Sequence, residues 1–156
     1  MHGPKKVHIL YLQMLIRYLK GHRDLALTYT KQGSGASLLF TLSETYPELT
    51  HLPSSPVVGF SDADWLPKAQ DGESMKSTSG LCFYCFGNLV QWSSKRQTIT
   101  AGSTMQAELI AASSGADSGV WYYTLQVDFP ILFGIQEAQA VPLLIDNKAA
   151  LSVAID

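Results

Sequence analysis

Residues 57–65, reading VVGFSDADW, carry an apolar strand directly into two acidic residues, Asp62 and Asp64. A strand with an apolar body and carboxylates at its mouth must bury the first and keep the second at a wet edge, which suggests a metal site. Two more acids have similar surroundings: Glu108 inside TMQAELIAA and Asp146 at the end of VPLLIDN. Three carboxylates from three separate elements suit a hard, oxygen-seeking ion such as magnesium. Asp62 is the favoured first ligand because it continues the strand, whereas Asp64 is expected in the turn that follows. Taken singly, most Asp and Glu are solvated carboxylates. Glu108 departs furthest from that, lying between Ala107 and Leu109 in a charge-poor helix with no basic residue at helical spacing. Asp146 follows the apolar run 141–145, at the carboxyl end of a strand, where parallel sheets hold functional groups.

An apolar fraction of 46% over 156 residues is ample for one packed core and excludes a disordered chain. The net charge of −2 gives no global signal for nucleic acid. Lys5, Lys6, Arg17, Lys20, Arg23 and Lys31 nevertheless concentrate the basic residues within 5–31, where Asp24 is the lone acid. That bias suits a solvated helix face as well as a phosphate-binding surface. Cys82 and Cys85 form a CxxC, but there is no second cysteine pair and His2, His8, His22 and His51 are scattered. Within the aromatic run LCFYCFG they read as small buried hydrophobes. No apolar run approaches ~20 residues, which argues against a membrane partner, and no signal-peptide pattern opens the chain, so an intracellular location is expected.

The periodicity predicts an amphipathic helix over 7–20 that stops at Gly21, then short strands at 25–29 and 36–42. Its apolar surface is broad enough to pack against more than one neighbour. Residues 45–56, with three prolines, read as a connector, and the boundary between two sections falls near Ser54. The second section is expected to run as a strand over 57–61, a polar loop over 66–77 and a hairpin of 80–86 with 88–94 joined through Gly87 and Asn88. Residues 97–101 extend or follow that hairpin. A helix capped by Ser103 or Thr104 comes next, with small residues that permit close approach to a sheet, and it gives way at 128–130. A buried parallel strand over 141–145 and a helix from 147 to 153 complete the order.

Strand, hairpin, helix, strand, helix, with acids at the end of the first strand, in the helix and at the end of the later strand, is the order of a ribonuclease H core. SDADW, MKSTSG, QWSSKRQT, STMQAELIAA and IDNKAAL together resemble the ribonuclease H region of copia-type retrotransposon polyproteins. IRYLKGHRDLALTY resembles the end of the reverse transcriptase that precedes it. The resemblance covers most of 7–153 and implies an α/β fold, a mixed sheet flanked by helices, preceded by a helix and short strands. It divides the chain into a reverse-transcriptase remnant, 1–54, and an incomplete ribonuclease H-like domain, 55–156. An integrase-like nuclease on the same core takes its second acid from a later strand, whereas here the glutamate comes second.

The resemblance assigns Asp62, Glu108 and Asp146 as catalytic metal ligands for Mg²⁺ or Mn²⁺. The implied chemistry is hydrolysis of RNA in an RNA·DNA hybrid by two ions about 4 Å apart, without a protein nucleophile. Hybrid selection would rest on shape and ribose hydroxyls. Lys76, Ser77, Thr78, Ser94, Lys95, Arg96, Ser103 and Thr104 are the candidates for backbone contact. The partners implied are the hybrid and the reverse transcriptase portion of the same polyprotein, in a cytoplasmic retroelement particle or the nucleus. Two departures stand out. The family's sheet continues with a fifth strand and a later segment bearing a histidine and a fourth acid, for which Asp156 comes too early. Gln106 and Met75 replace a frequent glutamate and a frequent basic residue. The expectation is thus a C-terminally truncated domain whose strand 141–145 exposes an unpaired edge, either a working nuclease or an inactive retroelement relic that binds nucleic acid or a partner.

Overall fold

The computed structural model of the chain describes residues 3, 5–29, 42–44, 46–51, 55–65 and 76–155. Helix α1, Lys6–Gly21, forms where the helical periodicity predicts it, and all its residues are exposed, among them Leu10, Tyr11, Met14, Leu15 and Leu19. Residues 25–29 are exposed and form no strand, because among the described residues none pairs with them and a strand is held by its ladder. Most of the expected strand over 36–42 lies outside the described residues, and its last residue, Leu42, is helical. Within the expected connector, Pro47–His51 makes a 3₁₀ turn closed by Thr50 Oγ1 donating to the Pro47 carbonyl at 2.7 Å. Residues 52–54, where the boundary was placed, and 66–75 of the polar loop are outside the described residues.

The sheet contains β1 (Val57–Asp64), β2 (Thr78–Cys85), β3 (Asn88–Arg96) and β4 (Leu143–Ile145) in the order β3-β2-β1-β4. β1 runs antiparallel to β2 and parallel to β4, giving the expected mixed sheet. β1 extends three residues beyond the sequence expectation, so Asp64 belongs to the strand and not to a turn; its pairing with Thr78 holds it there. The hairpin turn is Phe86-Gly87, one residue earlier than expected. Both have positive φ, 49° and 75°, as a two-residue turn matched to strand twist requires. Phe86 accepts this conformation while its N–H donates to the Pro56 carbonyl at 2.8 Å. β4 is shorter than expected and half-buried, and it stands at the edge of the sheet.

Helix α2, Thr104–Asp128, crosses the sheet and packs on β1 and β2. Ser103 is its cap, accepting from the Gln106 N–H at 3.2 Å. The core joins Val57 and Phe83 to Tyr122, with Leu81, Leu125, Phe133 and Leu143 packed around them. Close approach depends on two glycines. A Cβ on Gly59 would stand 2.5 Å from the Phe83 ring, and one on Gly115 would stand 3.0 Å from the Leu143 methyls. Buried Gln126 clasps the loop before β4, its amide bonding the Gln139 N–H at 3.1 Å and the Gln139 carbonyl at 3.2 Å. A short helix α3, Pro130–Phe133, and α4, Lys148–Ile155, complete the described chain. The Asn147 side chain opens α4 by accepting from the Ala150 N–H. Cys82 and Cys85 are free and half-buried on β2, and burial raises both thiol pKa values. Three residues apart on a strand they face opposite sides, which prevents them from converging on one ion.

Candidate metal centre

The sheet and α2 bring one acid each from β1, α2 and the end of β4 to a single point. Asp62, Glu108 and Asp146 offer ligand oxygens that all lie within 4.8 Å of one another. The parallel register sets two of the three: Ser61 lies beside Ile145, so Asp62 and Asp146 follow at the same end of neighbouring strands. The third comes from α2, four residues beyond its start, where the helix passes over β1.

The three acids differ in surroundings. Asp62 and Asp146 are exposed, whereas Glu108 is only 6% exposed. Burial pushes the Glu108 carboxyl pKa above its ordinary value, and the nearby charges of Asp62 and Asp146 push it the same way. A hydrogen bond from the Ala63 N–H acts in the opposite direction. Gly59 donates to the Pro142 carbonyl on the β4 side, and the period of two puts Ala63 on that same side, past the last β4 pairing at Ser61. The glutamate therefore takes a strand donor that β4 no longer reaches. Its other oxygen, Oε2, is buried without a hydrogen-bond partner. A buried carboxylate oxygen with no donor, flanked by two more carboxylates, fits a hard divalent cation, which would supply the missing partner and offset the mutual repulsion.

Asp64 lies in the same strand but outside this cluster. The residues proposed for nucleic-acid backbone contact are distributed around the same end of the sheet, since Asp62 opposes Gly80, which in turn opposes Ser94, and Thr78 opposes Arg96. Ser94, Lys95, Arg96 and Thr104 are exposed, while Lys76 and Thr78 are half-buried. Ser77 is 1% exposed with a buried hydroxyl, so it presents no surface for a phosphate, and the Ser103 hydroxyl is engaged as the helix cap. Sequence reasoning passed over Gln97 and Trp65. Gln97 is buried against the helix start, and the Trp65 indole N–H donates to the Ala101 carbonyl at 3.3 Å. A lone glutamine after a basic strand end carries no periodic signal that would have marked it.

A four-stranded mixed sheet flanked by helices, with three carboxylates converging at one end, is consistent with a ribonuclease H-like α/β fold. The chain belongs to the family of the Plasmopara viticola protein described as secreted RxLR effector protein 161, to which it is 32% identical over 118 residues, 76% of this chain and 67% of that protein. It is also similar to retrovirus-related Pol polyproteins of plant transposons. Identity is 27% over 150 residues with that of transposon RE1 of Arabidopsis thaliana, covering 96% of this chain and 8% of the polyprotein. With that of transposon TNT 1-94 of Nicotiana tabacum it is 30% over 120 residues, 76% of this chain and 7% of the polyprotein. These similarities support a segment derived from retrotransposon Pol, spanning a small part of such a polyprotein. No family profile and no solved structure matches the chain.

Proposed function

We propose that this chain is the ribonuclease H domain of a retrotransposon polyprotein, hydrolysing the RNA strand of RNA·DNA hybrids with Mg²⁺ or Mn²⁺. The observation that carries the reading is the convergence of Asp62, Glu108 and Asp146 from three elements onto one point, with a buried Glu108 oxygen lacking a donor. A divalent cation bound by these acids supplies Lewis-acid stabilisation of the charge that develops at a phosphate. Glu108 is the buried member of the set, with the Ala63 N–H beside its carboxylate, and Asp62 and Asp146 stand exposed toward an arriving backbone. Lys95, with Arg96, offers positive charge to neighbouring phosphates at the same end of the sheet, and Lys76, Thr78 and Thr104 flank it. The exposed apolar residues of α1 support a partner surface, which we assign to the reverse transcriptase portion of the same polyprotein in a cytoplasmic particle or the nucleus.

A second reading is a catalytically silent retroelement derivative that binds nucleic acid. One observation favours it: among the described residues the cluster holds three acids, fewer than the four that the family resemblance implies for two ions. Cleavage of a labelled RNA·DNA hybrid by the folded chain with Mg²⁺ or Mn²⁺ tests the two. Cleavage that disappears in Asp62→Asn supports the nuclease, and binding of the hybrid without cleavage supports the derivative. Among the described residues, no helix is long and apolar enough to cross a membrane.

A further inference from the structure

We infer that Gln97 is a positioning residue that sets the place of the Glu108 carboxylate on β1. Gln97 is 5% exposed, at the point where β3 has ended and the chain turns toward α2. Its Nε2 donates to two acceptors, the Ser79 hydroxyl of β2 and the Ala107 carbonyl of α2, each at 2.9 Å. The Ala107 carbonyl can only accept, so the amide orientation is fixed by chemistry. The Gln97 N–H is itself held by the Ser77 carbonyl at 2.8 Å.

These bonds close a circuit around the metal ligand. Ser79 is paired across the sheet with Ala63, the Ala63 N–H bonds the Glu108 carboxylate, and Glu108 follows Ala107 in the helix. Gln97 supplies the link from Ala107 back to Ser79. Without it, α2 would still pack on the sheet through Ala107, Ala111 and Gly115, and the Gln91 Nε2–Ser118 Oγ bond at 3.1 Å would still tie its middle to β3, but the polar tie between its first turns and β2 would be lost. A helix can slide or roll by a few tenths of an ångström on a surface of small side chains at little cost, because dispersion contacts are individually weak and non-directional. Hydrogen bonds are directional, and outer partners of metal ligands alter metal affinity by ~10–100-fold when removed. The Ala107 carbonyl keeps its own helical bond, so deleting the glutamine amide loosens placement without unravelling the turn.

The inference about metal affinity rests on the metal-centre reading above, but the placement of Glu108 can be tested without it. Gln97→Met keeps the side-chain length and removes both hydrogen bonds. Hydrogen exchange of backbone amides in the metal-free protein should show the Ala63 amide exchanging about tenfold faster, while Gly59 and Ser61, held by β4, keep their rates. A purely structural role would accelerate all three together. Calorimetric titration with Mn²⁺ should show roughly tenfold weaker binding in Gln97→Met than in the unsubstituted chain. Should Gln97→Met fail to fold, Ser79→Ala removes one of the two acceptors and should shift the same two readouts in the same direction by a smaller factor. An unchanged Ala63 rate, or Mn²⁺ affinity equal to that of the unsubstituted chain, overturns the proposal. If the unsubstituted chain binds no Mn²⁺, the metal-centre reading fails and the Ala63 rate alone decides the role of Gln97.

Discussion

Replacing Glu108 with glutamine should stabilise the metal-free protein at neutral to alkaline pH. The carboxylate oxygens of Asp62 and Asp146 lie within 4.8 Å of that of Glu108. Two unit charges at that separation repel by about 1 kcal/mol under water-like screening and about 3 kcal/mol at an effective dielectric of 20. Both aspartates are exposed, so the lower figure applies, about 2 kcal/mol for the two pairs. Against this, the Ala63 N–H exchanges a charged acceptor for a neutral one, which costs about 1 kcal/mol. The net gain expected for Glu108→Gln is about 1 kcal/mol, or about 3 °C in Tm for a chain of this size. Its pH dependence has a defined sign. The folded-state pKa of Glu108 is raised above its unfolded value, so its protonation stabilises the fold fully below the ordinary carboxylate range, and that contribution is lost as pH rises through the raised pKa. The advantage of the variant should therefore be present at pH 8 and vanish near pH 4. Thermal unfolding of both proteins in EDTA across this range measures the difference directly. Magnesium should invert the order, because a concentration tenfold above Kd adds about 1.4 kcal/mol to a protein that binds it and less to the variant. A variant equal to or less stable than the unsubstituted chain at pH 8 in EDTA would refute the claim that Glu108 is held against its charge.

Three further outcomes follow from the geometry. Asp146→Asn should weaken Mn²⁺ binding at least tenfold by calorimetry, whereas Asp64→Asn should leave it within twofold, because Asp64 lies outside the cluster. Gly59→Ala should destabilise the fold by about 1–3 kcal/mol in urea titration, since its Cβ would stand 2.5 Å from the packed Phe83 ring. Gln126→Leu should cost about 1–3 kcal/mol by the same assay, because it leaves the N–H and carbonyl of Gln139 without their clasp.

Helix α1, the strand that leads into Asp62, the hairpin and the helix carrying Glu108 were legible from local pattern, because apolar period and turn residues act over a few neighbours. So was the parallel strand ahead of Asp146, although its length was overestimated: apolar residues 141 and 142 read as strand, while pairing with β1 starts at Leu143. The strand expected at 25–29 shows the limit of such patterns, since β-rich residues become a strand only beside a partner.

The residue types alone determined that two acids close apolar strands and that a third, Glu108, lies within a charge-poor helix and lacks a cation at helical spacing. Tertiary structure decided that Asp62 and not Asp64 joins them: the two share a face of β1, but β4 pairs as far as Ser61 beside Ile145, which puts Asp62 level with Asp146 and Asp64 farther along the strand. It also decided the environment of Glu108 and the circuit through Ala63, Ser79 and Gln97, since hydrogen bonds between elements 10 to 45 residues apart in the chain depend on where those elements pack. Local sequence encodes what each segment can form; only packing specifies which of its polar atoms find a partner and which remain without one.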